Sequence, residues 1–225
     1  MRIDSEVAHG IFCHEIKNRF RAMVLVEGEP VVCYVASSCR LSNLMRLDNR
    51  EVLLIPSGEN SNRTEYTVFA VKHRNSFTLV DLSMANAIIA EQLHRRIFSF
   101  LGSRRRWFRE KTISDYKTDI FIEDTNTIVE IKTIISEKKE AVFPSVYSRR
   151  SIGQLDKIEE LLKHGFRVCF ILASLCPATQ IIRIDEKTEL GERLDRCLKL
   201  GLMLRAFRIK TKKNEVYISG CVRVE

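Results

Sequence analysis

Residues 117–133 read KTDIFIEDTNTIVEIKT, and the fold of the chain turns on them. Ile120 and Ile122 alternate with Phe121 and Glu123, Asp124-Thr125-Asn126 supplies turn chemistry, and Ile128 to Ile131 is a β-favouring run. The stretch therefore predicts a strand, a tight turn and a second strand. Asp119 stands at the start of the first strand. Glu130 and Lys132 are two apart on the second, and a period of two puts both side chains on one face. Antiparallel pairing would lay Asp119 beside them. Two carboxylates and one ammonium converging on a strand face suit a hard cation with a lysine poised next to it.

Just upstream, residues 110–113 read as a further strand, with Ser114-Asp115-Tyr116-Lys117 turning into the Asp119 strand. Before these comes Arg104-Arg105-Arg106-Trp107-Phe108-Arg109, four arginines and two aromatics. This is either a solvated connection whose Trp anchors the core or a phosphate-gripping patch, since guanidinium forks suit phosphate. Downstream, residues 137–140 are all charged and read as a mobile loop. Leu155, Ile158, Leu161 and Leu162 predict an amphipathic helix over 151–164, with Gly165 past its end. Residues 167–175 are apolar throughout, as a strand covered on both faces would be. Asp185 or Thr188 caps another helix, stopped by Gly201, and strands over 202–210 and 215–224 close the chain. The order α-β-β-β-α-β-α-β-β predicts a mixed sheet flanked by helices.

Residues 83–98 have helical spacing (Met84, Ala87, Ile88, Leu93, Ile97, Phe98), with Ser83 as candidate N-cap and Gly102 just past the end. Before Ser83 the period is two: strands are expected within 19–36 around Glu27-Gly28-Glu29-Pro30, over 51–55 up to Pro56-Ser57-Gly58, over 66–72 and over 76–81. Five or so short strands fit a small OB-like barrel better than a sandwich. The expected domains are 1–82, the barrel, and 83–225, the mixed sheet. With no Pro/Gly/Ser-rich linker, the two should pack directly.

The 37 Lys and Arg residues outnumber 29 acids, giving a formal charge of +8, which favours polyanion partners. No apolar run is long enough to span a membrane, and Arg2, Asp4 and Glu6 exclude a secretory signal. Seven scattered cysteines, without a Cys-x-x-Cys, read as reduced thiols in a cytoplasmic protein rather than zinc ligands.

Aspartate on the second strand of a meander and Glu-x-Lys on the third resemble the PD-(D/E)xK nuclease fold. More closely, the chain resembles the sugar fermentation stimulation protein (SfsA) family, which joins an N-terminal OB-fold to such a domain. The resemblance rests on Arg19-Phe20 with Val24, the Asn86 helix, Glu110 nine residues before Asp119, and Glu130-Ile131-Lys132-Thr133 against the family's Glu-Val-Lys-Ser. Phe143-Pro144, Phe166-Arg167-Val168, Ile184-Asp185 and Gly201 also fall in place. The chain departs from the family pattern at several points. Val35-Ala36-Ser37-Ser38-Cys39 replaces a Cys/His-Pro-Asn-Thr-Gly segment, Ile113-Ser114 a Tyr-Gly, and Lys117 an arginine. A helical Thr-x-Arg-Gly-x-x-His-Leu becomes residues 148–155, keeping Arg150 and placing Gln154 where the histidine stood.

The resemblance and the residues together imply metal-dependent hydrolysis of phosphodiester bonds in DNA and/or RNA. Asp119, Glu130 and the Ile131 carbonyl are the expected ligands for Mg²⁺ or Mn²⁺, with Lys132 as the third catalytic residue. Glu110, Arg150 and Gln154 are accessory candidates. Arg104, Arg105, Arg106, Arg109 and Lys117 are the expected nucleic-acid contacts. The alternative is a non-catalytic DNA-binding regulator of sugar metabolism genes, which the charge and the barrel suit. Two carboxylates beside phosphates argue against it, and Tyr34, Tyr66 and Phe69 are too few for a stacking stripe.

Overall fold

The structure is a computed structural model that describes residues 1–16, 20–37, 40–57 and 64–225. Arg19, Ser38, Cys39 and Gly58, which entered the sequence reading, lie outside the described residues.

The chain opens with β1 (Ala8–Glu15), β2 (Arg21–Val26), β3 (Glu29–Val35), β4 (Glu51–Pro56) and β5 (Tyr66–His73). They pair in the order β3-β2-β1-β4-β5, and a β3–β5 pairing closes them into a five-stranded OB-like barrel. Closure removes the free edges that short strands would otherwise expose. The turn between β2 and β3 is narrower than expected: Glu27 and Gly28 take positive φ, and Glu29 and Pro30 already belong to β3. β1 was not expected. It displaces residues 76–81 from the barrel, where β6 (Ser76–Leu79) instead pairs with β5 and leads out of it.

Asp81, rather than Ser83, caps α1 (Leu82–Glu91), its carboxylate accepting from the Ser83 N–H at 2.9 Å. The expected long helix breaks after Glu91 and resumes as 3₁₀ turns at Arg96–Leu101 before Gly102, whose φ is 78°. Next come β7 (Trp107–Arg109), the small hairpin β8 (Thr112–Ile113) and β9 (Tyr116–Lys117), then β10 (Ile120–Ile122) and β11 (Thr127–Ile134). Of the strand expected over 110–113 only Thr112–Ile113 is extended, as β8; the strand of the main sheet ends at Arg109, because Glu110 is left-handed (φ 52°) and breaks it. The loop expected over 137–140 is corrected too. Glu140 starts β12 (Glu140–Phe143), and Glu137 is held by Arg50 and by His73 at 3.0 Å.

The remaining elements are α2 (Arg149–Lys163), β13 (Arg167–Ser174), β14 (Ile181–Ile184), α3 (Glu189–Lys199), β15 (Met203–Lys212), β16 (Glu215–Cys221) and β17 (Arg223–Val224). Ser148 caps α2 and Thr188 caps α3. The mixed sheet runs β15-β13-β11-β10-β7, parallel across the first three, and one β6–β15 pairing at Phe77 and Thr211 joins it to the barrel. β12, β14 and β17 form a separate parallel sheet.

Side-chain alternation divides the core. Val129, Ile131, Cys169 and Ile171 pack with α1 and the barrel interior, while Ile128, Ile134, Phe170 and Leu172 pack against α2 and α3. β13 is therefore buried on both faces, which explains its unbroken apolar run. Among the described residues no helix is long and apolar enough to cross a membrane.

Candidate active site

On β11 the face turned to α2 carries Ile128, Glu130, Lys132 and Ile134 in succession. Two charged residues thus occupy positions that the period assigns to the core, and Glu130 is only 2% exposed. An isolated buried carboxylate would be costly, so its partners decide whether it can stay there. It has three. Tyr116 Oη donates to Oε2, while Lys132 Nζ (2.8 Å) and Gln154 Nε2 (3.0 Å) donate to Oε1. Gln154 also accepts from Lys132 Nζ at 2.5 Å, so the amide on α2 bridges both charged groups. Burial and the neighbouring Glu130 charge push the Tyr116 phenol far up, keeping it a donor.

Asp119 comes from the point where pairing of β10 with β11 ends, at Ile120 opposite Val129. Its carboxylate takes the place of the next ladder acceptor: Oδ2 receives the Ile131 N–H at 2.7 Å. Oδ1 receives Asn86 Nδ2 from α1 at 2.9 Å. Burial foremost, then the Glu130 charge, push the Asp119 carboxyl up to about 6, although the Ile131 N–H, Lys132 and Asn86 favour its ionised form. The sequence had named Asn86 only as a landmark of its helix. Its signal was an amide on the stripe shared by Leu82 and Ile89, four before and three after it. Tyr116 carried no such signal, since the small hairpin brings it in.

These groups floor an open cleft of about 450 Å³, walled by Leu44, α1, the first turns of α2 and residues 143–148. Arg150 lines it. The first turn of α2 holds no acidic residue.

The other candidates lie elsewhere. Glu110 points to solvent and pairs with Lys117 Nζ at 2.5 Å; neither lines the cleft. Arg104 donates to the carbonyls of Leu93, Gly102 and Arg95, tying off the turns after α1. Arg106 pairs with Glu123 and Asp124 in the β10–β11 turn. Arg105 and Arg109 are exposed at the sheet edge, and none of the four arginines lines the cleft. In the barrel Phe69 is buried, while Tyr34 is exposed and stacks on Phe20.

A closed OB-like barrel followed by a restriction-endonuclease-like mixed sheet, with paired acids and a lysine on its central hairpin, defines a two-part α+β class. The "SfsA N-terminal OB domain" family model matches residues 16–80, and the "Sugar fermentation stimulation protein RE domain" model matches 83–215. The chain belongs to the sugar fermentation stimulation protein family. It is 29% identical over 203 residues to the "Sugar fermentation stimulation protein homolog" of Thermotoga maritima, covering 89% of this chain and 87% of that one. The homolog of Clostridium perfringens strain 13 is 22% identical over 230 residues, covering 100% and 99%. The structure of Pyrococcus furiosus SfsA in complex with Ca²⁺ superposes with a TM-score of 0.85 at 19% identity, covering 100% of this chain and 99% of that one.

Proposed function

We propose that this chain is a metal-dependent nuclease that hydrolyses phosphodiester bonds in DNA and/or RNA, with Asp119, Glu130 and Lys132 as its catalytic residues. The observation that carries the proposal is a buried carboxylate, Glu130, and an ammonium at core-facing positions of β11, joined on the floor of an open cleft by the half-buried carboxylate of Asp119. Two negative charges face one ammonium there, and burial first, then the Glu130 charge, raise the Asp119 carboxyl.

The donor set fits a hard divalent cation. Of about four lone-pair positions on each carboxylate, Asp119 uses two and Glu130 three, which leaves oxygen positions on both. The Ile131 carbonyl points to the same side of β11 as its N–H, toward Asp119. Among the described residues no group of three His, Cys, Asp or Glu forms, so beyond Asp119 and Glu130 the Ile131 carbonyl and water would have to complete the shell of Mg²⁺ or Mn²⁺, ions that keep several waters. When bound, such an ion supplies positive charge to the scissile phosphate and acidifies water. The Ca²⁺ in the Pyrococcus furiosus structure, a cation of the same oxygen preference, supports this choice.

The chain's own residues do the rest. Glu130 and Gln154 hold the Lys132 ammonium in place, where it can donate to a phosphate oxygen; one such preorganised donor is worth about 3 kcal/mol in a dry site. Asn86 and the Ile131 N–H orient Asp119. Arg150 puts a positive charge at the cleft wall, where a polyanion enters.

The test uses labelled DNA and RNA with Mg²⁺, Mn²⁺ or chelator, beside Asp119→Ala. Cutting is expected to need the metal and to vanish in the variant while binding survives. Cutting that persists in chelator or in the variant overturns the proposal. One observation favours the second possibility, a non-catalytic DNA-binding regulator: Tyr116, Lys132 and Gln154 already balance Glu130 without an ion. DNA binding with no metal-dependent cutting would establish it.

A further inference from the structure

Residues 144–148 form one wall of the cleft and also bound a second hollow of about 120 Å³ beside the start of α3. On this wall Tyr147 is 72% exposed and Val146 52%. Among the described residues Tyr147 makes no hydrogen bond, ring contact or ion pair. Its ring thus faces solvent on the same cleft that holds the buried Glu130 and the half-buried Asp119.

The cations nearby follow a pattern. On α2 and α3, Lys157 pairs with Asp115 and Glu160, Lys163 with Glu159, Arg193 with Asp156 and Glu189, Arg196 with Glu159, and Lys199 with Asp195. The side chains of Arg149 and Arg150, two and three residues after Tyr147, have no hydrogen bond or ion pair among the described residues. Both helices neutralise their basic side chains except at the start of α2, where Arg150 lines the cleft. An aromatic face beside unneutralised guanidinium groups matches a nucleotide, whose base stacks and whose phosphate is anionic.

We infer that Tyr147 is a stacking platform for an unpaired nucleobase and that the cleft takes single-stranded nucleic acid, its phosphates passing Arg150 toward Lys132. The inference deepens the nuclease proposal and rests on it for the identity of the polyanion. Inside a duplex both faces of each base are covered by neighbouring pairs, so an exposed ring can stack only on a base that is unpaired or splayed out. The cleft, about 450 Å³ and open to solvent, lets a strand lie along Tyr147 and Arg150 with its ends outside.

The full chain, in chelator so that nothing is cut, is titrated with 2-aminopurine oligonucleotides as single-stranded DNA, single-stranded RNA and duplex DNA. Wild type and Tyr147→Phe are expected to quench the single-strand probe. Tyr147→Ala is expected to lose the quenching and roughly tenfold of single-strand affinity, with duplex affinity unchanged. The DNA and RNA arms show which sugar the site accepts. Unchanged single-strand affinity in Tyr147→Ala, or an equal loss on duplex, overturns the inference. Stacking without cutting when metal is restored would sink the nuclease proposal alone; cutting that is indifferent to Tyr147 would sink this inference alone.

Discussion

Asn86 Nδ2 lies 2.9 Å from Asp119 Oδ1, tying the first helix of the mixed domain to the residue that precedes β10. The bond favours the ionised carboxylate against a burial that opposes it. Partners that orient a metal ligand typically contribute 10–100-fold to affinity. Asn86→Ala is therefore expected to weaken Mn²⁺ binding by about tenfold or more and to lower stability by about 1–2 kcal/mol. Titration calorimetry and urea unfolding read the two effects. An unchanged Mn²⁺ affinity would mean that the amide serves packing alone.

The raised carboxyl of Asp119 sets a direction for stability against pH. Its folded value, about 6, lies above the ordinary value of about 3.9, so the folded state holds this proton more tightly than the unfolded state. The ionised group thus penalises the fold fully above about pH 6, and the penalty disappears as pH falls toward 4. At 1.36 kcal/mol per unit the penalty is on the order of 3 kcal/mol at most. In chelator, Asp119→Asn is expected to exceed wild type in stability by about 1–3 kcal/mol at pH 7.5, with the gap closing by pH 4. The new amide keeps an acceptor for the Ile131 N–H, and Asn86 can rotate its own amide to match. A gap that stays constant between pH 4 and 7.5 would show that Asp119 is not the group titrating.

The central hairpin was legible because strand period, turn residues and charge spacing coincide within 17 residues, and no distant element is needed to fix them. Helices α2 and α3 were legible for the same local reason. β1 was not: Gly10 and Phe12 are its only fully buried positions, and a bulge between Phe12 and His14 breaks the alternation. β12 and β14, four residues each, are too short to display a period. Nothing about a glutamate announces the left-handed φ at Glu110 that ends β7 early. At the site, Asp119, Glu130 and Lys132 could be placed by spacing, whereas Asn86 and Tyr116 reach it from other elements. Tyr147 belongs to a wall whose exposure only the fold decides.

Glu137 shows how far a charge run can mislead. Arg50, before β4, donates two N–H groups to its carboxylate, and His73 at the end of β5 adds a third contact at 3.0 Å. The barrel thereby clasps the segment leading from β11 to the cleft wall. The side chains are only 26% and 18% exposed for Arg50 and Glu137, between a surface pair and a buried one. Glu137→Gln is expected to cost about 2 kcal/mol in urea unfolding, and Arg50→Ala a similar amount. The double variant is expected to cost about 1 kcal/mol less than the sum of the two. Full additivity would mean that the two residues act separately.

Two helical glycines should respond to alanine with opposite signs, though sequence rules treat them alike. At Gly153 on α2 an added Cβ would meet nothing within 4 Å, so Gly153→Ala removes backbone freedom from the unfolded chain and is expected to stabilise by about 0.5–1 kcal/mol. At Gly191 in the first turns of α3 the same atom would lie 2.1 Å from the Asp185 carbonyl oxygen and 2.9 Å from its carbon. Both are backbone atoms, and that oxygen is fixed by the Thr188 hydroxyl at 2.8 Å and the Thr188 N–H at 3.2 Å, so it cannot swing aside as a flexible side chain would. The Thr188 hydroxyl in turn caps the Gly191 N–H at 3.1 Å, so moving α3 outward also strains its cap. Gly191→Ala is therefore expected to destabilise by about 1–3 kcal/mol or more. Urea midpoints of the two variants, measured side by side, check both signs. A stabilising Gly191→Ala would require the turn between β14 and α3 to stand farther from the helix than it does here.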